Sequence, residues 1–133
     1  MADVPPADGP GDPPPVLALV RDLIFASRIA GTARQLGIPL TVVRDPAALA
    51  GAAGRRLIVD LNLPGGIEAA TAWKQAAGGA VVGFVSHVDA ATIHKARVAG
   101  VDRVMARSQF VQSLPTLLAA APDLPAGPPA GSV

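Results

Sequence analysis

The sequence contains no cysteine, only two histidines, and aromatic residues at just 3% of its 133 positions. The absence of cysteine excludes disulfides, thiolate catalysis and cysteine-ligated zinc. Two histidines argue against a histidine-rich metal site. The formal net charge of +1 gives no strong positive electrostatic potential for binding nucleic acid or an anionic membrane. Because half of the residues are hydrophobic, we expect a core built from Val, Leu, Ile and Ala.

Several functional signatures are also missing. No apolar run is long enough to cross a membrane, and residues 1–15 lack the basic start and apolar stretch of a signal peptide. These features predict a cytoplasmic protein. The chain has no phosphate-binding G-x-x-x-x-G-K-[ST] loop, no G-x-G-x-x-G after its first strand and no G-x-S-x-G elbow. We therefore predict that it is not an enzyme.

Proline marks the two ends of the chain. Six prolines fall within residues 1–15 and four within 122–133. Segments of this composition cannot bury enough apolar surface to pack, so both are predicted to be disordered tails. The single domain is expected to span residues 16–121.

Within that domain, apolar runs alternate with helix signals. The predicted strands are 16–20, 40–43, 56–61, 80–86 and 103–106. Asp22, Asp45 and Asp89 each suit the N-cap of a following helix, and Ser108 is expected to open a last helix that is interrupted or restarted at Pro115. Strands that are apolar throughout require a sheet buried on both faces. The alternation predicts an α/β, doubly wound parallel sheet.

Polar residues follow four of the five strands. Arg21 and Asp22 come after the first, Asp60 ends the third, Ser86 ends the fourth, and Arg107 follows the fifth. The carboxyl ends of parallel strands meet at one edge, where open α/β sheets bind ligands. The residues alone therefore predict a polar pocket at this edge.

Three segments give this pocket a family resemblance. "LIVDLNLPGG", "VVGFVSH" and "ARVAGVDRVMARSQF" resemble the phosphoacceptor strand, the fourth strand and the final strand region of response-regulator receiver domains, over roughly residues 16–120. The resemblance implies a flavodoxin-like five-stranded sheet of order 2-1-3-4-5. It implies that Asp60 is the phosphoacceptor, that Asp22, Asp60 and the carbonyl of Asn62 hold Mg²⁺, and that Ser86 binds the phosphoryl group.

The chain departs from the family pattern at three positions. Arg21 stands where the family has a second acid, Arg107 replaces a lysine, and Val104 replaces the usual switching aromatic. A cation at Arg21 works against Mg²⁺, which prefers oxygen ligands, so any metal site formed by Asp22 and Asp60 should be weak. We expect a guanidinium, from Arg21 or Arg107, to bond to Asp60 instead.

These departures favour a degenerate member of the family. The first hypothesis is a stand-alone pseudo-receiver that signals through protein contacts, without a cofactor and without Mg²⁺-dependent phosphorylation. The second is a true receiver phosphorylated on Asp60 in a phosphorelay, and the third is a small-ligand binding module at the carboxyl edge. Partners would be a histidine kinase, another signalling protein or a second copy. His94, Lys95 and Arg97 form either a partner face or a solvated surface.

Overall fold

The computed structural model describes residues 14–86 and 89–119. His87 and most of the two predicted tails lie outside these ranges. The strands are β1 (Val16–Leu19), β2 (Leu40–Val43), β3 (Arg56–Asp60), β4 (Ala80–Val85) and β5 (Arg103–Ala106). The helices are α1 (Leu23–Leu36), α2 (Gly66–Ala77), α3 (Ala90–Val98) and α4 (Arg107–Ala119), and a single 3₁₀ turn covers Pro46–Leu49.

The five strands form one parallel sheet in the order β2-β1-β3-β4-β5. The register places Leu17 beside Leu57, and Leu57 beside Val81. The sequence prediction of a doubly wound, flavodoxin-like sheet in this order is confirmed. The carboxyl ends of β1 and β3 lie side by side, which brings Asp22 and Asp60 to the same edge.

Both faces of the sheet are buried. Successive residues of β3 point to opposite sides: Leu57 and Val59 join the layer that contains α2 and α3, while Ile58 joins the layer of α1 and α4. This explains why strands such as β3 carry consecutive apolar residues, here Leu57, Ile58 and Val59, rather than alternating ones. Gly83 lies at the centre of β4, where a Cβ would fall 2.7 Å from the side chain of Leu61.

The core is mainly aliphatic, as expected, but all three phenylalanines of the chain meet on the α1 and α4 side. The ring centroids of Phe25 and Phe84 are 5.0 Å apart, and those of Phe84 and Phe110 are 4.9 Å apart. Tilted or offset rings at these separations attract beyond their area burial. The cluster fixes Phe25, at the start of α1, close to the carboxyl edge.

Aspartate caps behave as predicted, although the element after Asp45 is shorter than expected. Asp22 accepts from two amides of α1, and Asp45 and Asp89 each accept from one amide of their own segments. The predicted helix after Asp45 is only a 3₁₀ turn. Gly54, which precedes β3, has no room for a Cβ because the side chain of Leu17 would lie 2.6 Å away. Residues 50–54 form a loop between the 3₁₀ turn and β3.

The predicted interruption of the last helix is wrong, because α4 runs without a break from Arg107 through Pro115. Proline removes one amide donor from a helix interior. Here the helix is held by tertiary contacts on both sides of that position, since Leu114 and Leu117 are both buried. Tertiary packing has overridden the local preference of the sequence.

Two arginines bind the end of α4 at the opposite, amino-terminal edge of the sheet. Arg55 donates through Nη2 to the carbonyl of Leu118 at 2.9 Å, and Arg56 donates through Nη1 to the carbonyl of Leu117. Arg56 is only 1% exposed, and burial lowers its pKa. These carbonyls lie in the last turn of the helix, where intrahelical donors run out.

No helix in the described part of the chain is long and apolar enough to span a membrane.

Candidate functional site

The site is built from three neighbouring chain turns at the carboxyl edge. Asp60 is the last residue of β3 and is half-buried; its Oδ1 accepts from the amide N–H of Asn62 at 3.0 Å. The side chain of Asn62 in turn accepts from the amide N–H of Ser86, at 2.7 Å. The loop after β3 is therefore tied to the end of β4, and Ser86 is held close to the loop that follows Asp60.

A second group of contacts joins the starts of α1 and α4. Asp22 uses Oδ1 to accept from the amides of Ile24 (2.9 Å) and Phe25 (3.2 Å). Its Oδ2 lies 3.5 Å from Nη2 of Arg107. The guanidinium of Arg107 also lies over the ring of Phe25, with its central carbon 4.0 Å from the ring centroid. An arginine stacked on an aromatic face and paired with a carboxylate uses both of its preferred contacts.

The two carboxylates have shifted pKa values of opposite direction. Burial raises the pKa of Asp60 above 3.8, against the lowering effects of the Asn62 amide and of Arg107, and the nearby charge of Asp22 adds to the rise. The pKa of Asp22 lies below 3.8, chiefly because the Phe25 amide donates to it, with Arg107 contributing. Asp22 is thus the stably ionised carboxylate, and Asp60 is the one that holds its proton more tightly.

The structure brings the predicted residues together but corrects one contact. The expected bond between a guanidinium and Asp60 is wrong: the carboxylate that pairs with Arg107 is Asp22. Arg107 acts on Asp60 only through its charge, and Arg21 is exposed. The reason is geometric, because the capping position of Asp22 and the ring of Phe25 together hold the guanidinium on the α1 side.

Sequence reasoning missed two contributions. Phe25 follows Asp22 by three positions, one turn into α1, and this spacing is the signal that could have linked it to the pocket. Asn62 was expected to act through its backbone carbonyl, yet its side chain makes the contact to Ser86. An asparagine directly after a buried strand often bonds to nearby backbone groups, which is the general pattern this contact follows.

A depression of about 330 Å³ lies beside this pocket, between the loop after β3 and the start of α3. Asn62, Pro64, Glu68, Asp89 and Lys95 are among the residues that line it. Within residues 14–86 and 89–119, no group of three or more His, Asp or Glu side chains is placed to hold a metal ion. The pocket itself offers two carboxylates, Asp22 and Asp60.

The predicted partner face lies on α3. His94, Lys95 and Arg97 are all exposed, and Val98 beside them is 73% exposed. Lys95 does not stand alone, since its Nζ lies 2.7 Å from Oε2 of Glu68 on α2. The exposed surface of α3 therefore presents His94, Arg97 and Val98, with Lys95 engaged at its border.

Comparison with solved structures places the fold among response-regulator receiver domains, which confirms the resemblance at the level of the fold. A response regulator from Burkholderia pseudomallei, solved with a phosphorylated aspartic acid, a calcium ion and citrate, is similar with a TM-score of 0.67 and 17% identity over 79% of this chain and 66% of that chain. No family model and no curated protein sequence matches the chain.

Two further solved structures show the same similarity of fold. A CheY-like receiver domain protein from Methanospirillum hungatei JF-1 has a TM-score of 0.68 at 13% identity, covering 77% of this chain and 88% of that one. The receiver domain of a Francisella response regulator has a TM-score of 0.65 at 21% identity, covering 77% and 91% respectively. At such identities the likeness concerns the fold.

Proposed function

We propose that the chain is a signalling module of receiver fold that acts through protein contacts and does not depend on Mg²⁺ or on phosphorylation. The observation that carries this proposal is the position of Arg107. Its guanidinium is stacked on Phe25 and paired with Asp22, the carboxylate that the family resemblance assigns to the metal. A fixed side-chain cation thus stands beside the two acids of the pocket.

The donor set fits Mg²⁺ poorly. Both oxygens of Asp22 are engaged, Oδ1 by two helix amides and Oδ2 by Arg107. Arg21 replaces the second acid of the family pattern and adds a positive charge at the same edge. Mg²⁺ requires near-octahedral oxygen coordination and loses its water reluctantly, so it would have to displace Arg107 against charge repulsion.

In this proposal the chain transmits a signal and does not turn over a substrate. Receiver-like folds support the proposal of a non-enzymatic, cytoplasmic module, and the exposed His94, Arg97 and Val98 of α3 offer a surface for a protein partner. The partner would be a histidine kinase, another signalling protein or a second copy of the chain. In this proposal the pocket sets the shape of the carboxyl edge, and α3 carries the contact.

Phosphorylation of Asp60 is the competing proposal, and one feature favours it. Asp60 is half-buried at the end of β3, next to the amide of Asn62 and to Ser86, which is where the resemblance places the phosphoacceptor. Its raised pKa works in the other direction, because burial, which the charge of Arg107 offsets only in part, disfavours the charged nucleophile. Phosphoryl transfer needs charge neutralised on both reacting groups.

Intact-mass measurement decides between the two. The wild-type protein, incubated with acetyl phosphate or phosphoramidate in the presence and absence of Mg²⁺, is expected to gain no phosphoryl mass. Arg21→Asp restores the second acid and should raise the affinity for Mg²⁺. Mn²⁺ serves as the probe for this site, and its binding is measured by electron paramagnetic resonance. Arg28→Asp, the same change at an exposed position of α1, is the matched control and should bind no more Mn²⁺ than wild type.

Robust Mg²⁺-dependent labelling of the wild type, abolished by Asp60→Asn, would replace this proposal with the conventional phosphoswitch. If Arg28→Asp raised Mn²⁺ binding as much as Arg21→Asp, the effect would come from net charge rather than from the pocket.

A further inference from the structure

A groove runs along α2 on the side of the 3₁₀ turn. Two adjoining depressions form it, with volumes of about 240 and 430 Å³, and they share Gly51, Trp73 and Ala76 in their linings. Pro46 lines one end and Pro14 the other. Every residue that lines the two depressions is uncharged.

The groove exists because the connection between β2 and β3 contains only the 3₁₀ turn and the loop 50–54. This loop leaves Ala72 and Ala76 of α2 exposed. Trp73, the single tryptophan of the chain, is 3% exposed and donates through Nε1 to the carbonyl of Ala52 at 3.0 Å. The hydrogen bond fixes the indole ring in the wall that α2 and the loop share.

We propose that residues 1–13 of the same chain occupy this groove as an extended, proline-rich strand. Pro14, the residue that follows this segment, already lies in the groove wall, so the segment starts at the groove. In polyproline II geometry, 13 residues extend about 40 Å. The 12 residues of α2 rise only about 18 Å, so the segment is long enough to follow the helix from Pro14 to Pro46.

The chemistry of the two surfaces is complementary. Proline-rich segments dock in apolar, aromatic-lined grooves because their extended shape is already formed and little entropy is lost. All 11 Lys and Arg residues of the chain lie within 14–119, whereas residues 1–13 contain three Asp and no Lys or Arg. The exposed Arg44 lies next to the 3₁₀ turn, and Arg55 follows the loop 50–54. Tethering raises the local concentration of the segment further.

The absence of cysteine permits a direct test in the full-length chain. A nitroxide attached at Ala7→Cys is expected to broaden the methyl resonances of Ala72 and Ala76 at least several-fold more than those of Ala30 and Ala33, which lie on α1, across the sheet from α2. Broadening spread evenly over the surface, or concentrated on another face, would overturn the proposal. The label at Ser132→Cys is the control and should leave the groove resonances sharp.

The second experiment replaces four prolines by serine in each of two full-length variants. The four changes in the N-terminal segment are at Pro5, Pro6, Pro10 and Pro13, and the matched four in the C-terminal segment are at Pro122, Pro125, Pro128 and Pro129. Only the first set should shift the Ala72 and Ala76 resonances and abolish the broadening from Ala7→Cys. Equal effects from both sets, or groove broadening from the label at position 132, would show that the groove does not select residues 1–13.

Discussion

Arg107 and Asp22, which are 85 positions apart in the chain, join the first turns of α4 and α1 across the carboxyl edge. The 3.5 Å contact is partly exposed, with 37% and 49% of the two side chains accessible. Ion pairs of this kind add little to the free energy of folding. Their effect is local: the pair places a positive charge next to the half-buried carboxylate of Asp60.

Replacement of Asp22 separates its two roles. Asp22→Asn retains an oxygen that can cap the amides of Ile24 and Phe25, whereas Asp22→Ala removes the cap. We expect Asp22→Ala to lower the Tm clearly and Asp22→Asn to lower it only slightly. Thermal unfolding followed by circular dichroism at pH 7 measures this. Equal losses in the two variants would mean that the pair with Arg107, rather than the cap, carries the stability.

The same carboxylate should make stability fall at low pH. Because the folded-state pKa of Asp22 lies below 3.8, chiefly through the Phe25 amide, ionised Asp22 stabilises the fold above its unfolded-state pKa. That stabilisation is lost as the pH falls through the lower, folded-state value. Asp22→Asn should abolish this part of the acid dependence, which urea titrations between pH 2 and 5 can check.

Ionisation of Asp60, unlike that of Asp22, should lower the stability of the folded protein. Its folded-state pKa is raised, mainly by burial, so its ionisation destabilises the folded protein. The penalty is absent below the unfolded-state value near 3.8, grows as the pH rises, and is complete above the raised value. Asp60→Asn, which keeps an oxygen for the Asn62 amide, should therefore raise the Tm at pH 7 and lose this advantage toward pH 3.8. A lower Tm at pH 7 would contradict the prediction.

The bond between Asn62 and Ser86 can be tested at a single amide. Asn62→Ala removes the acceptor at 2.7 Å, and we expect hydrogen exchange at the Ser86 amide to accelerate about fivefold, as loss of a hydrogen bond of about 1 kcal/mol implies. Exchange at Val82, within β4, should be unchanged. The rates can be followed by NMR after transfer into deuterated water; an unchanged Ser86 rate would show that the loop is held by other contacts.

Substitution of Arg56 should lower the free energy of unfolding more than substitution at most other positions. Arg56→Ala removes a fully buried side chain and its bond to the Leu117 carbonyl, and large-to-small core changes cost about 2–5 kcal/mol. Arg28→Ala, at an exposed position of α1, should change the free energy of unfolding by no more than about 0.5 kcal/mol. Denaturant unfolding of both variants gives the comparison, and a loss below about 1 kcal/mol for Arg56→Ala would contradict the prediction.

The sheet was predictable from the sequence because its signals are local and repeated. Strands such as 80–85 are apolar along their whole length, and residues such as Asp22 and Asp89 mark helix starts in the structure as they do in the sequence. The gathering of Asp22 and Asp60 followed from the parallel topology alone. The partner of Arg107 could not be predicted, because the choice between two neighbouring carboxylates depends on side-chain geometry. The continuity of α4 through Pro115 likewise depends on contacts far away in the chain.

The position of Arg55 has a consequence for engineering the molecule. Its backbone N–H donates to the carbonyl of Pro15 at 3.0 Å, and its side chain donates to the carbonyl of Leu118 at 2.9 Å. One residue thus spans the entry and the exit of the described domain, so the two ends are neighbours. A short peptide could link position 15 to position 118, and a circularly permuted chain opened at the exposed Gly51 should reach the same fold.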